Sequence, residues 1–281
     1  MIRKLMLAGL LMACWIRGFS QQTAQAIRQR FSDPATVLVA AHRSVHNHYP
    51  ENSLPAFQAA LDAGVDIIET DVKVTKDGIP VLMHDRTINR TTNGKGDPET
   101  YTYAELNQFF LKDAQGQLTA YKIPTLDELL RLTKGKILID LDMKTDKLDP
   151  VLQVIRKTGT EKQVIFFDDD VTMLKRVEQA DPDYMLMPRA HSQATADSLL
   201  TLFRPEVVHI DFTFYNPTVT SLIKQNKARV WINALGEPDR LLKSGQTDQA
   251  MARLLGNGAN IIQTDEPELW LKTLKAKRLH P

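Results

Sequence analysis

The stretch Asp66-Ile67-Ile68-Glu69-Thr70-Asp71-Val72-Lys73 decides the reading of this chain. A short apolar run leads into ionisable residues, the form of a strand buried on both faces of a parallel sheet. Seven further runs share it, over residues 36–42, 136–142, 163–167, 184–187, 207–211, 229–233 and 260–264. Amphipathic segments separate them. Leu54, Phe57 and Leu61 recur at helical spacing, with Gly64 placed to end that helix. Thr125-Leu126-Asp127-Glu128 reads as a capping box opening a Leu-rich helix that Gly135 closes. A ninth run, 79–83, is separated from the second strand only by residues 75–78. A parallel crossover needs a dozen residues or more, so this run must return antiparallel as a hairpin. Eight parallel strands alternating with helices over about 250 residues predict an α/β fold, a (β/α)8 TIM-like barrel. A doubly wound open sheet is the alternative.

Two segments interrupt the alternation. Residues 86–122 are too long for a loop and carry turn signals at Asn93-Gly94, Gly96-Asp97-Pro98 and Gly116. They predict a small inserted subdomain after the second barrel strand, with one short helix near 103–111. Residues 44–50 form a polar loop directly after the first strand.

Composition narrows the function. Thirty-five basic residues against 34 acidic ones give a formal charge of +1, without the basic surplus of a general nucleic-acid binder. The single cysteine, Cys14, excludes a disulfide scaffold and a cysteine-rich metal site. Arg3 and Lys4 precede an apolar run over 5–16, which is shorter than the about 20 residues a membrane span needs. Gly18-Phe19-Ser20 then offers small residues where a signal peptidase reads. Residues 1–20 are thus expected to be an export signal and 21–281 the barrel domain, exported to a periplasm or secreted. Leu11-Met12-Ala13-Cys14 offers the alternative of a lipoprotein anchored at Cys14, with Met12 an awkward fit.

The ionisable residues gather at strand ends. The first strand runs into His42-Arg43, the second into Glu69-Thr70-Asp71, and 136–139 into Asp140-Leu141-Asp142-Met143-Lys144. Residues two apart on a strand share a face, so Glu69 projects with Asp71, and Asp140 with Asp142 and Lys144. In a barrel these ends converge on one mouth, where active sites sit. One carboxylate at a strand end is usually a solvated or capping residue, but three ends each carrying two or more ionisable groups are not. Hard oxygen ligands of this kind suit Mg²⁺ or Ca²⁺. His84-Asp85, after 80–83, adds an imidazole with a carboxylate neighbour.

In order, Ala41-His42-Arg43, Pro50-Glu51-Asn52-Ser53, Glu69-Thr70-Asp71-Val72, Thr75-Lys76-Asp77-Gly78 and His84-Asp85 resemble the glycerophosphodiester phosphodiesterase family. Pro124-Thr125-Leu126-Asp127-Glu128, Leu141-Asp142-Met143-Lys144, Trp231-Ile232-Asn233 and Thr264-Asp265-Glu266-Pro267 continue the resemblance over residues 37–271. It implies hydrolysis of glycerophosphodiesters to glycerol 3-phosphate and an alcohol on a barrel with an insert. Glu69, Asp71 and Asp142 would hold a divalent metal, Mg²⁺ or Ca²⁺. His42 and His84 would be the acid/base pair, with His42 taken as base and His84 as acid. Arg43 and Lys144 would clamp the phosphate, and Trp231 would line the site near the glycerol or head group. Attack could come from the substrate's own glycerol hydroxyl, giving a cyclic phosphate, or from water.

The chain departs from the family pattern in three places. Ser44 stands where the family has Gly, so the turn is expected to use positive φ less freely. Asp142 replaces a Glu one methylene longer, so a metal contact there could run through water. His46 and His48 lie beside the catalytic pair and read as part of a mobile polar loop or as an extra metal or substrate contact. Two rival functions remain at this point. A related barrel enzyme acting on phosphoinositides or sphingophospholipids would need an apolar rim, for which Phe109-Phe110-Leu111 is the candidate. A non-catalytic glycerophosphodiester-binding barrel would be expected to have lost its imidazoles.

Overall fold

The computed structural model describes residues 23–281; the expected export signal over 1–20 and Cys14 lie outside them. Nine strands follow in chain order: β1 (Leu38–Ala41), β2 (Ile67–Val74), β3 (Pro80–Leu82), β4 (Leu138–Met143), β5 (Val164–Asp168), β6 (Met185–Pro188), β7 (Val207–Ile210), β8 (Arg229–Asn233) and β9 (Ile261–Thr264). Eight are parallel, in the order β6-β5-β4-β2-β1-β9-β8-β7. The ring closes between β6 and β7 through the parallel bridge Arg189–His209 and the bond from Ala190 N–H to His209 O, 2.9 Å. The sheet is therefore a (β/α)8 barrel and not an open doubly wound sheet. β3 returns antiparallel along β2, with Val72 opposite Leu82. Gly78 takes φ 82° in the connecting turn, a conformation glycine adopts without a Cβ penalty.

Local signals set the surrounding helices. Ser53 Oγ caps the helix Leu54–Ala63 by accepting the Ala56 N–H, and Gly64 ends it at φ 73°. Thr125 and Glu128 form the reciprocal capping box that opens the helix Leu126–Thr133. Leu126, Leu129 and Leu130 turn one face of that helix into the core. Complete burial of each is worth about 1.5–3 kcal/mol relative to exposure. Among the described residues no helix is long and apolar enough to cross a membrane.

Residues 86–122 fold around a satellite core of Val81, Met83, Ile88, Leu106, Leu111 and Ile123. Their helix, Tyr103–Leu106, is shorter than the expected 103–111. The chain leaves the helix because later residues are held from elsewhere: Phe110 N–H donates to Asn93 Oδ1, and Leu111 bridges Thr92. The antiparallel bridge between Lys112 and Leu118 then forms a hairpin. Gly94 packs so closely that a Cβ there would lie 2.6 Å from Ile88 Cδ1 and 2.7 Å from Phe109 Cγ. Phe109 packs against the satellite core, Leu111 is buried, and Phe110 lies under Lys122 Nζ, 3.3 Å from the ring centre. The three do not form the apolar rim that a lipid-facing enzyme would need.

Candidate active site

The end of β1 turns sharply. Arg43 and Ser44 take φ 50° and 69°, so Ser44 adopts the left-handed conformation despite carrying a side chain. Its buried hydroxyl donates to Ala56 O at 2.8 Å, which ties the strained turn to the following helix. The turn aims the Arg43 N–H at Glu69 Oε2, 2.7 Å away. His42 Nδ1–H donates to Asp265 Oδ1 at 2.7 Å, leaving Nε2 as the free ring nitrogen. His46 Nδ1–H donates to His42 O at 2.9 Å, and His46 Nε2 lies 3.6 Å from the same Asp265 oxygen. His46 thus braces the His42 loop from behind. Burial would raise the Asp265 carboxyl, but the His42 bond and the nearby His46 and Arg43 bring it below its ordinary range.

Adjacent strands supply the acidic cluster. Register places Glu69 beside Asp140 and Asp71 beside Asp142. Oxygens of Glu69, Asp71 and Asp142 all lie within 4.8 Å of one another, so the shorter side chain at 142 still reaches the cluster. Burial, reinforced by Asp71, Asp140 and Asp142, pushes Glu69 well above the usual carboxylate range. Burial also raises Asp142 to about 6, against the pull of Lys144. Lys144 Nζ donates to Asp142 Oδ2 at 2.5 Å and lies 3.7 Å from Asp71 Oδ1. Asn52, itself at φ 52°, donates from Nδ2 to Asp71 Oδ2 at 2.9 Å and accepts the Thr70 hydroxyl at 2.7 Å. Asp71 Oδ1 is buried without a hydrogen-bond partner. Three crowded carboxylates, two of them buried, and one orphaned oxygen fit a divalent cation, which relieves both the like-charge repulsion and the unmet acceptor.

The third wall follows β3. Met83 N–H donates to Asp71 O at 2.9 Å, placing the next residue, His84, beside the cluster. His84 Nδ1–H donates to Asp85 Oδ1 at 2.8 Å. Both sequence-predicted imidazoles are therefore backed by a carboxylate on Nδ1 and left free at Nε2. Arg43 Nη1 donates to Glu51 Oε1 at 3.0 Å, and Arg90 spans Glu51 and Asp85.

Trp231 departs from its expected place. It is wholly buried, in register with His209 and Ile261, and its Nε1–H donates to Gln263 Oε1 at 3.0 Å. It precedes Asn233, the end of β8, by two residues and supports Gln263 from within the barrel instead of lining the mouth. Above it, Glu69, Asp140, Asp142, Phe167, Met187, His209 and Gln263 enclose a cavity of about 20 Å³, room for one water. Asp140 Oδ1 and His209 Nδ1, both buried and unpartnered, belong to residues lining it. Burial holds His209 neutral, its pKa lowered to about 4. Asp265, Asn52, Glu51, Arg90 and His209 were not singled out by strand-end chemistry. The motifs around 51–52 and 264–267 were the available signal for the first three.

The sequence model of the Glycerophosphoryl diester phosphodiesterase family matches residues 42–269. A glycerophosphodiester phosphodiesterase of Caldanaerobacter subterraneus is 27% identical over 248 residues, covering 85% of this chain and 98% of that protein. The crystal structure of a glycerophosphoryl diester phosphodiesterase from Parabacteroides distasonis superposes with a TM-score of 0.80 at 26% identity, covering 93% of this chain and 94% of the other. An Oleispira antarctica phosphodiesterase, solved in complex with the product sn-glycerol-3-phosphate, shares the fold at a TM-score of 0.74 and 21% identity, covering 87% and 99% of the two chains.

Proposed function

The chain belongs to the glycerophosphoryl diester phosphodiesterase family of enzymes, and from that premise we propose that it hydrolyses glycerophosphodiesters to glycerol 3-phosphate and an alcohol with the help of a divalent cation. One observation carries the reading. Two imidazoles, each backed by its own carboxylate, follow β1 and β3, on either side of the β2 and β4 ends that supply a three-carboxylate cluster and Lys144, with Arg43 next to the first imidazole.

The residues divide the work by chemistry. A phosphodiester carries one negative charge, and more gathers on its non-bridging oxygens as phosphorus becomes five-coordinate. Arg43 and Lys144 place positive charge where that excess develops, and their carboxylate partners fix them before substrate arrives. Glu69, Asp71 and Asp142 would hold Mg²⁺ or Ca²⁺, which when bound supplies further electrostatic stabilisation of the phosphoryl oxygens. Asp265 fixes the His42 tautomer so that Nε2 can take a proton from the attacking oxygen. Asp85 does the same for His84, whose Nε2 in its protonated form donates to the departing alkoxide. Attack by water gives glycerol 3-phosphate directly; attack by the substrate's glycerol hydroxyl gives a cyclic phosphate that the same pair then opens.

Export to a periplasm or the exterior is part of the same proposal, supported by the basic start, apolar run and small-residue end of residues 1–20. The reaction is tested by ³¹P NMR of purified protein with sn-glycero-3-phosphocholine and Mg²⁺ or Ca²⁺. Glycerol 3-phosphate should appear. Phosphocholine, from cleavage on the glycerol side, would contradict the assignment.

A further inference from the structure

Arg90 comes from the segment that follows β3, and its guanidinium forks onto two carboxylates from different parts of the chain. Nε donates to Asp85 Oδ2 at 2.7 Å and Nη2 to Asp85 Oδ1 at 3.0 Å. Nη1 donates to Glu51 Oε2 at 2.6 Å and Nη2 also to Glu51 Oε1 at 2.8 Å. Each carboxylate has a second partner in the site. Asp85 accepts His84 Nδ1–H at 2.8 Å, and Glu51 accepts Arg43 Nη1 at 3.0 Å. A continuous chain, His84–Asp85–Arg90–Glu51–Arg43, thus crosses the mouth from the end of β3 to the turn after β1.

We infer that Arg90 is a positioning residue for phosphodiester hydrolysis, holding Asp85 behind His84 and Glu51 behind Arg43 so that acid/base group and phosphate clamp are set together. The inference rests on the reading proposed for the site.

Three features distinguish this from an ordinary surface ion pair. A planar guanidinium meeting two carboxylates through its fork is geometrically selective, and a lysine at position 90 could not reproduce it. The backbone on either side is fixed: Ile88 is wholly buried in the satellite core, its N–H donates to Gly96 O, and Thr92 N–H donates to Ile88 O. The charges also require it. Without Arg90 two carboxylates would face a single guanidinium and an imidazole, and the Glu51 side chain is only 15% exposed. Burial would raise Glu51, yet Arg90 and Arg43 hold it below its ordinary range; the Arg90 hydrogen bonds lower Asp85 more strongly. Arg90 further lines a cavity of about 190 Å³ with His46, Glu51, Lys112 and Asp113, between the insert and the loop after β1.

The test compares Arg90→Gln, Arg90→Lys, Asp85→Asn, Glu51→Gln and the double variant Arg90→Gln/Asp85→Asn in the full chain. Steady-state release of glycerol 3-phosphate from sn-glycero-3-phosphocholine is followed alongside hydrolysis of bis(p-nitrophenyl) phosphate. Arg90→Gln should lower kcat and raise KM, each by about tenfold, the scale of a lost charge-assisted contact. Asp85→Asn should move chiefly kcat and Glu51→Gln chiefly KM. In the Asp85→Asn background, Arg90→Gln should no longer lower kcat, the non-additivity expected of residues acting through one another. Arg90→Lys should recover charge without the fork and so only part of the loss. Fully additive effects, or wild-type kcat and KM in either Arg90 variant, would overturn the inference. Should Arg90→Gln fail to fold, Arg90→Lys decides alone, and wild-type constants there would refute it. A wild type that cleaves only the nitrophenyl diester, with KM there still raised by Arg90→Gln and Glu51→Gln, would defeat the glycerophosphodiester reading and leave the positioning of Arg43 standing.

Discussion

His42 Nδ1 and Asp265 Oδ1 meet at 2.7 Å although 223 residues separate them in the chain. The bond joins the ends of β1 and β9, neighbours in the barrel, and fixes the tautomer that leaves Nε2 for chemistry. Asp265→Asn removes the negative charge and puts an NH2 donor where one carboxylate oxygen stood, which lets the imidazole adopt the opposite tautomer. We predict a fall in kcat of about 10²–10⁴, comparable with loss of the base itself, and little change in KM. Steady-state kinetics check this; a kcat within threefold of wild type would mean that Asp265 serves only the loop.

The two imidazoles should separate on a substrate whose leaving group departs without a proton. His42→Ala and His84→Ala should each lower kcat by about 10²–10⁴ on glycerophosphocholine. On a nitrophenyl diester the His84 variant should regain much of its rate and the His42 variant should not. Equal recovery would show that the assignment of base to His42 and acid to His84 is wrong.

His209 should govern part of the acid sensitivity. Burial holds its folded pKa near 4, below the ordinary 6.5 for an imidazole. The unfolded chain takes up the proton first as pH falls, so the stability due to the neutral ring is complete above pH 6.5 and is lost towards pH 4. The linked loss is roughly 3 kcal/mol. Replacing His209 by Gln should flatten the fall in urea-unfolding free energy between pH 7 and pH 4 by about that amount. An unchanged slope would mean that the ring is not held neutral.

Head-group preference should reside in the insert's hairpin. Ala114 and Gln115 at its tip line a cavity of about 610 Å³ with Asn47, His48, Lys243 and Lys272, beside the His42 loop. Shortening residues 112–118 while keeping Arg90 should reorder the rates for glycerophosphocholine, glycerophosphoethanolamine and glycerophosphoinositol. An unchanged order in a folded variant would place selectivity elsewhere.

Much of this molecule was legible in its sequence, for physical reasons. Buried parallel strands leave near-continuous apolar runs, and closing them into a barrel puts their last ionisable residues on one rim. His42, Arg43, Glu69, Asp71, Asp142, Lys144 and His84 are all found there. Asp85 was legible as the neighbour of His84, but the pairings of Asp265 with His42 and of Glu51 with Arg90 were not, because they join distant segments and the motifs that hold Asp265 and Glu51 do not say what they face. Trp231 was marked only by the Trp231-Ile232-Asn233 motif, which says nothing of depth, and its buried indole donates to Gln263. The helix near 103 ends early because Phe110 exchanges hydrogen bonds with Asn93 and Lys112 N–H donates to Thr91 O, which local spacing does not register.

The most direct test of the account is the rate of glycerol 3-phosphate release before and after metal is stripped from the protein. Glu69, Asp71 and Asp142 bring three carboxylates within 4.8 Å of one another, and Asp71 Oδ1 has no hydrogen-bond partner. Release should cease in chelator and return with Mg²⁺ or Ca²⁺, and Asp142→Glu should bind the cation at least as tightly. Undiminished release from protein shown by elemental analysis to be metal-free would contradict the central claim that this cluster works by holding a divalent cation.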